Sequence, residues 1–150
     1  MSKKFKKTLK EKYGLKGEKG RDGELFFSNF YTRKGYIVHD NHDDIKQQAS
    51  GVDFVLETQK GVFSVDVKNN LIVSPKEIMV VVEVQPSGWL FDPKKISNFI
   101  SHVNIKNKII ATYRRTKMQQ FIDNNYWDYR SSIIYLPVTM LPFCKVEYDA

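Results

Sequence analysis

Residues 52 to 68 constrain the fold more than any other stretch. Two segments, 52 to 57 and 62 to 68, are rich in valine and phenylalanine and flank a turn containing Lys60 and Gly61, the pattern of an antiparallel hairpin. Side chains alternate between faces along a strand. Asp66 and Lys68 therefore project from one side of the second strand and Val65 and Val67 from the other, and antiparallel pairing across the turn brings Asp53 beside Asp66. Charges on largely apolar strands cost free energy unless they are paired, solvated at an edge, or bound to a metal. The plainer reading is an exposed hairpin edge with ordinary surface pairs, each worth little. The valine-rich neighbours on both strands weigh against it.

The rest of the chain supports one globular domain. With 150 residues and 41% hydrophobic content there is enough apolar material for a real core. No stretch approaches the roughly 20 apolar residues a bilayer span needs, so no membrane segment is expected. The first twenty residues lack the apolar core of a secretory signal, and the lone Cys144 has no partner for an internal disulfide. A reducing, cytoplasmic location is the expectation.

Charge is uneven. Residues 1 to 20 hold eight lysines against two glutamates, which leaves 16 basic and 15 acidic side chains in the other 130 residues. The expected organisation is a basic arm, 1 to 20, on a nearly neutral domain, 21 to 150. Lys3, Lys4, Lys6, Lys7 and Lys10 in that arm suit a polyanion, because neutralising phosphates releases condensed counterions without reading sequence. A solubilising tail is the plainer alternative.

Leu25, Phe26, Phe27, Phe30 and Tyr31 recur at near-helical spacing, which predicts an amphipathic helix from 21 to about 34, closed by Gly35. A short strand is expected at 36 to 39 and a long polar loop at 40 to 50. The hairpin should form the centre of the sheet. A further strand is read at 78 to 85. Asp92 and Pro93 announce a helix, since Asp caps free amides and Pro suits the first helical position, with Ile96, Phe99, Ile100 and Val103 on one face. A strand at 109 to 112, a basic helix at 113 to 122 and a strand at 132 to 138 complete an α/β fold with a central mixed sheet flanked by helices.

Two carboxylates close together repel, and a hard divalent cation such as Mg²⁺ relieves the repulsion while leaving positions for water and a phosphate oxygen. Lys68, beside such an ion, either orients and activates an attacking water or stabilises charge developing on phosphorus. The residue types leave both roles open.

Gly51-Val52-Asp53-Phe54, a turn, and Ser64-Val65-Asp66-Val67-Lys68 resemble the motif of the PD-(D/E)XK nuclease superfamily, with Val52 where the motif's name has proline. Upstream, Lys19-Gly20-Arg21-Asp22-Gly23-Glu24 opening the first helix, then Gly35-Tyr36-Ile37-Val38, is similar in layout to the archaeal type of Holliday-junction resolvase in that superfamily. The resemblance covers residues 17 to 70 and implies a restriction-endonuclease-like core. It assigns catalytic roles to Glu24, Asp53, Asp66 and Lys68. Metal ligation would fall on Asp53, Asp66, the carbonyl of Val67, and Glu24 directly or through water. It implies Mg²⁺, with Mn²⁺ as a substitute, double-stranded or branched DNA as substrate, and a homodimer. A site-specific nuclease of the homing or restriction type shares these motifs, and so does a non-catalytic nucleic-acid-binding module on the same scaffold.

Other clusters are less specific. Arg114, Arg115 and Lys117, with Lys94 and Lys95, are candidates for a phosphate-binding surface, though ordinary helix solubility reads as well. His39, Asp40, His42, Asp43 and Asp44 match no zinc spacing and read as a polar loop. Glu83 and Gln85 share a strand face, exposed or near the substrate. Trp89 and Phe91 suit base stacking or a partner interface, while Trp127 and Tyr129 suit the core.

Overall fold

The computed structural model describes residues 18–126 and 132–149. The basic arm up to residue 17, and Trp127 and Tyr129, lie outside the described residues. The first helix, α1 (Glu18–Arg33), buries Phe27, Phe30 and Tyr31 on one stripe. It stops by a local mechanism. The Gly35 amide donates to the Thr32 carbonyl and the Tyr36 amide to the Tyr31 carbonyl, with Gly35 at φ +92°, the left-handed conformation in which a missing Cβ avoids a steric penalty. Tyr36 then stacks on Tyr31, ring centroids 5.5 Å apart.

After β1 (Ile37–Asp40) comes a short helix, α2 (Ile45–Ala49), where the sequence reads as a plain loop. Its cause is local too: the Asp44 carboxylate accepts from the Gln47 amide and caps the turn. The hairpin forms as expected, β2 (Phe54–Thr58) with β3 (Gly61–Lys68). β4 (Ile72–Val73) and β5 (Ile78–Glu83) follow, then β6 (Phe99–Asn104), β7 (Ile109–Arg114), α3 (Arg115–Asn125), β8 (Ile133–Pro137), a 3₁₀ turn (Val138–Met140) and β9 (Lys145–Tyr148).

The helix expected after Asp92 and Pro93 does not form. Asp92 caps a single turn, its side chain and carbonyl accepting from the amides of Lys94 and Lys95, and the chain then extends into β6. Ile100, Ser101, His102 and Val103 are all buried there. A strand buried on both faces shows no alternation, and its apolar residues at 96, 99, 100 and 103 mimic a helical stripe.

Six strands form a mixed sheet in the order β1-β2-β3-β6-β7-β9, and β4-β5-β8 form a second, antiparallel sheet. The α/β class with a central mixed sheet therefore holds. Its centre is the parallel pair β3 and β6, with Lys68 opposite His102, rather than the hairpin itself. One core lies between α1 and the large sheet, around Phe27, Phe54, Val65, Val67 and Ile110. The other lies on the opposite face, where Ile100, Ala111 and Tyr113 meet Val80, Val82 and Leu136 of the small sheet and Met118 and Ile122 of α3. No helix among the described residues is long and apolar enough to cross a membrane.

Candidate active site

Asp53 sits one residue before β2, where the chain leaves the ladder. Its amide donates to the Val65 carbonyl, 2.9 Å, and its carboxylate accepts the Val67 amide, 2.8 Å. Asp53 thus binds the backbone on either side of Asp66, and its side chain takes over an amide that β2 no longer reaches. Asp66 is 2% exposed and Asp53 1%. Lys68, two residues along β3 and on the same face, holds its ammonium 3.3 Å from an Asp66 carboxylate oxygen. These three groups come together as the hairpin pattern predicts.

Glu24, fully buried, reaches this end of the sheet because Gly23 lets the second turn of α1 lie against the end of β3. A Cβ on Gly23 would stand 2.7 Å from the Asn69 Cβ, and the Asn69 amide group donates to the Lys19 carbonyl. Arg21 links Glu24, 3.1 Å, to Asp40, 2.8 Å. Burial works to raise the Asp40 carboxyl, but hydrogen bonds from Arg21 and the His42 amide outweigh it and hold it below the usual carboxylate range. Asp40 belongs to a polar network around Arg21.

Two neighbours of Lys68 were not legible in the sequence. The Trp89 ring lies 5.3 Å from its ammonium, a cation–π contact. Trp89 is fixed by Arg115, whose guanidinium donates to the carbonyls of Trp89, Leu90 and Ser97 and to the Ser97 hydroxyl. Opposite Lys68, the fully buried His102 contacts the Asn70 side-chain oxygen and the Tyr113 hydroxyl, each at 2.7 Å. Asn70 offers only an acceptor there, so Nδ1 carries the proton and Nε2 accepts from Tyr113. Burial pushes His102 down to about 3, the Lys68 charge adds to the effect, and Asp66 opposes it.

The expected phosphate-binding surface is not one surface. Arg115 is buried in the loop clamp just described. Arg114 lies over the Phe99 ring, 4.8 Å from its centroid, and Phe99 pairs with Val65, so Arg114 is on the sheet face opposite Asp66. Lys117 lines the same cavity as Arg114 on that face. Glu83 accepts from Gln85 and lies against Gly88, where an added Cβ would be 2.7 Å from its carboxylate.

Among the described residues no group of three His, Cys, Asp or Glu side chains is arranged around a common ion position. Mg²⁺ does not require one, since one or two carboxylates with water suffice. Asp53, Asp66 and the Val67 carbonyl are hard oxygen donors of the right kind, and Asp53 is bonded to the Val67 amide, so the residues fit a two-carboxylate Mg²⁺ site. Comparison with protein-family models, curated proteins and solved structures finds no match for this chain.

Proposed function

We propose that this protein is a Mg²⁺-dependent DNA endonuclease of the PD-(D/E)XK type that hydrolyses phosphodiester bonds in duplex or branched DNA. The supporting observation is the buried Asp66, bracketed by Asp53 and paired with Lys68 at 3.3 Å. Asp53, Asp66 and the Val67 carbonyl would hold the ion. When bound, Mg²⁺ supplies Lewis-acid stabilisation of charge on the scissile phosphate, and Mn²⁺ is expected to substitute.

The protein's own groups have separable tasks. Both contacts of Lys68, to a carboxylate and to an aromatic face, are those of a cation. They favour stabilisation of the phosphoryl oxygens over removal of a proton from water. Glu24, bonded to Arg21, would act on the ion as an outer group, directly or through water. The homodimer belongs to the same proposal: Ile133 and Tyr135 of β8 are exposed, with Val81 of β5 beside Tyr135, an apolar patch that a second copy would cover. Sedimentation should then give a dimer that Tyr135→Lys dissociates, and a monomeric native protein would refute this part.

The deciding experiment compares cleavage of plain duplex, a synthetic four-way junction and a randomised plasmid library, in Mg²⁺ and in EDTA. Metal-dependent cutting lost by on the order of a thousandfold in Asp66→Ala, with DNA binding retained, is expected. Junction-selective cutting makes the protein a resolvase, and cutting at a few library sequences makes it a site-specific nuclease. Binding without cleavage under every metal condition would leave a non-catalytic module.

A further inference from the structure

On the sheet face away from Asp66, α1 covers only part of the strands and leaves a cavity of about 410 Å³. Phe63, Phe99, Phe143, Leu56 and Val65 give it an apolar lining. Four cations, Lys60 from the β2–β3 turn, Arg114 from β7, Lys117 from α3 and Lys145 from β9, line it as well. The lining carboxylate, Glu147, is already engaged by Tyr31, Lys34 and, at 3.8 Å, Lys145. Among the described residues Lys60, Arg114 and Lys117 have no carboxylate partner. An apolar pocket ringed by unneutralised positive charge is complementary to an apolar group flanked by negative ones.

We propose that this cavity is a docking site for an acidic peptide segment of a partner protein, anchored by an aromatic or large aliphatic side chain. The chain's own segment 1 to 17 is the wrong occupant by charge, with seven lysines against one glutamate. A single nucleic-acid strand fits less well. Base stacking needs open ring faces, whereas Arg114 covers one face of Phe99 and Phe63 meets it edge-on at 5.5 Å. The site shares no side chain with the proposed catalytic residues, so it stands or falls separately.

Fluorescence anisotropy on the full chain tests it with labelled probes: a short peptide alternating Asp and Phe, its Asp–Gly and Lys–Phe counterparts, and an oligothymidylate. Binding is expected for the Asp–Phe peptide and not for either counterpart. Arg114→Glu with Lys117→Glu should weaken it roughly tenfold or more; both residues are exposed, so an unchanged melting curve verifies the fold. The full-length variant carrying Lys3→Gln, Lys4→Gln, Lys6→Gln and Lys7→Gln should bind the peptide as the native chain does. Equal binding of the Asp–Gly peptide, loss of binding in the arm variant, or indifference to the Arg114 and Lys117 changes would each overturn the proposal. Oligothymidylate binding abolished by the Arg114 and Lys117 changes would overturn it in favour of a nucleic-acid site.

Discussion

On one face of the six-stranded sheet, at the edge of the core around Ile100, Ala111 and Tyr113, Asp66, Lys68 and His102 point into a region tied together by specific polar bonds: Asp53 to the β3 backbone, Arg115 to three carbonyls, His102 to Asn70 and Tyr113. On the other, Phe27, Phe30, Val65 and Val67 pack against one another, and the uncovered remainder is a cavity. The two faces come from the same strands, because period-two alternation sends neighbours such as Asp66 and Val67 to opposite sides. Non-directional packing tolerates small adjustments, but buried polar groups incur their full desolvation cost when a partner or proton is misplaced. The polar face should therefore respond far more sharply to pH and to conservative substitution.

The largest expected effect separates the faces by pH. His102 is neutral in the folded protein, lowered to about 3 by burial. Between its ordinary value of 6.5 and about 3, the unfolded chain takes up a proton that the folded chain refuses. Its stabilising contribution is complete above pH 6.5 and is lost as pH falls, at about 1.4 kcal/mol per pH unit for this one group. Urea denaturation at a series of pH values should show that slope in the native protein and a shallower one in His102→Asn. Equal slopes would mean that the polar face does not hold the acid sensitivity. A second, smaller effect is expected from Gly23→Ala. The added Cβ, 2.7 Å from the Asn69 Cβ, meets an atom fixed to β3, and the overpacking cost of about 1–3 kcal/mol exceeds the helix-propensity gain of about 1 kcal/mol. Thermal melting should fall and cleavage with it, as Glu24 is displaced; a rise in melting temperature would show the α1 contact to be compliant.

Sequence pattern carries the parts of this contrast that are local. Asp66 and Lys68 share a face because strands alternate; α1 ends where Gly35 permits φ +92°; both are short-range consequences of residue type. Asp44 capping α2 is equally local, but five residues are too few to leave a periodic signal. β6 was hidden differently. Buried on both sides, it shows no period-two alternation, and Ser101 and His102 interrupt its apolar residues; its pairing with β3 spans a long crossover. The partners of Lys68 therefore stayed out of reach: opposing His102 to Lys68 needs the β3–β6 register, and setting Trp89 beside it needs Arg115, which composition assigns to a basic surface. Within the hairpin, Asp53 was legible as a neighbour of Asp66 but not as the acceptor for the Val67 amide, because that bond arises where the ladder breaks off.

The smallest effect tests the contact between Trp89 and Lys68, where the polar face meets solvent. A cation–π contact contributes about 0.5–2 kcal/mol according to its exposure. If Trp89 holds the ammonium where charge develops, Trp89→Leu should lower kcat roughly 2- to 30-fold and leave DNA affinity unchanged, while Trp89→Phe, which keeps an aromatic face, should recover most of the loss. Trp89 is also partly exposed, and a base stacked on it would give the opposite split. In that case Trp89→Leu would weaken DNA binding with kcat preserved at saturation. The two outcomes differ in which constant moves, so single-turnover cleavage and equilibrium binding on the same variants decide between them. A change in affinity alone would transfer Trp89 from the polar network that orders Lys68 to the surface that grips DNA.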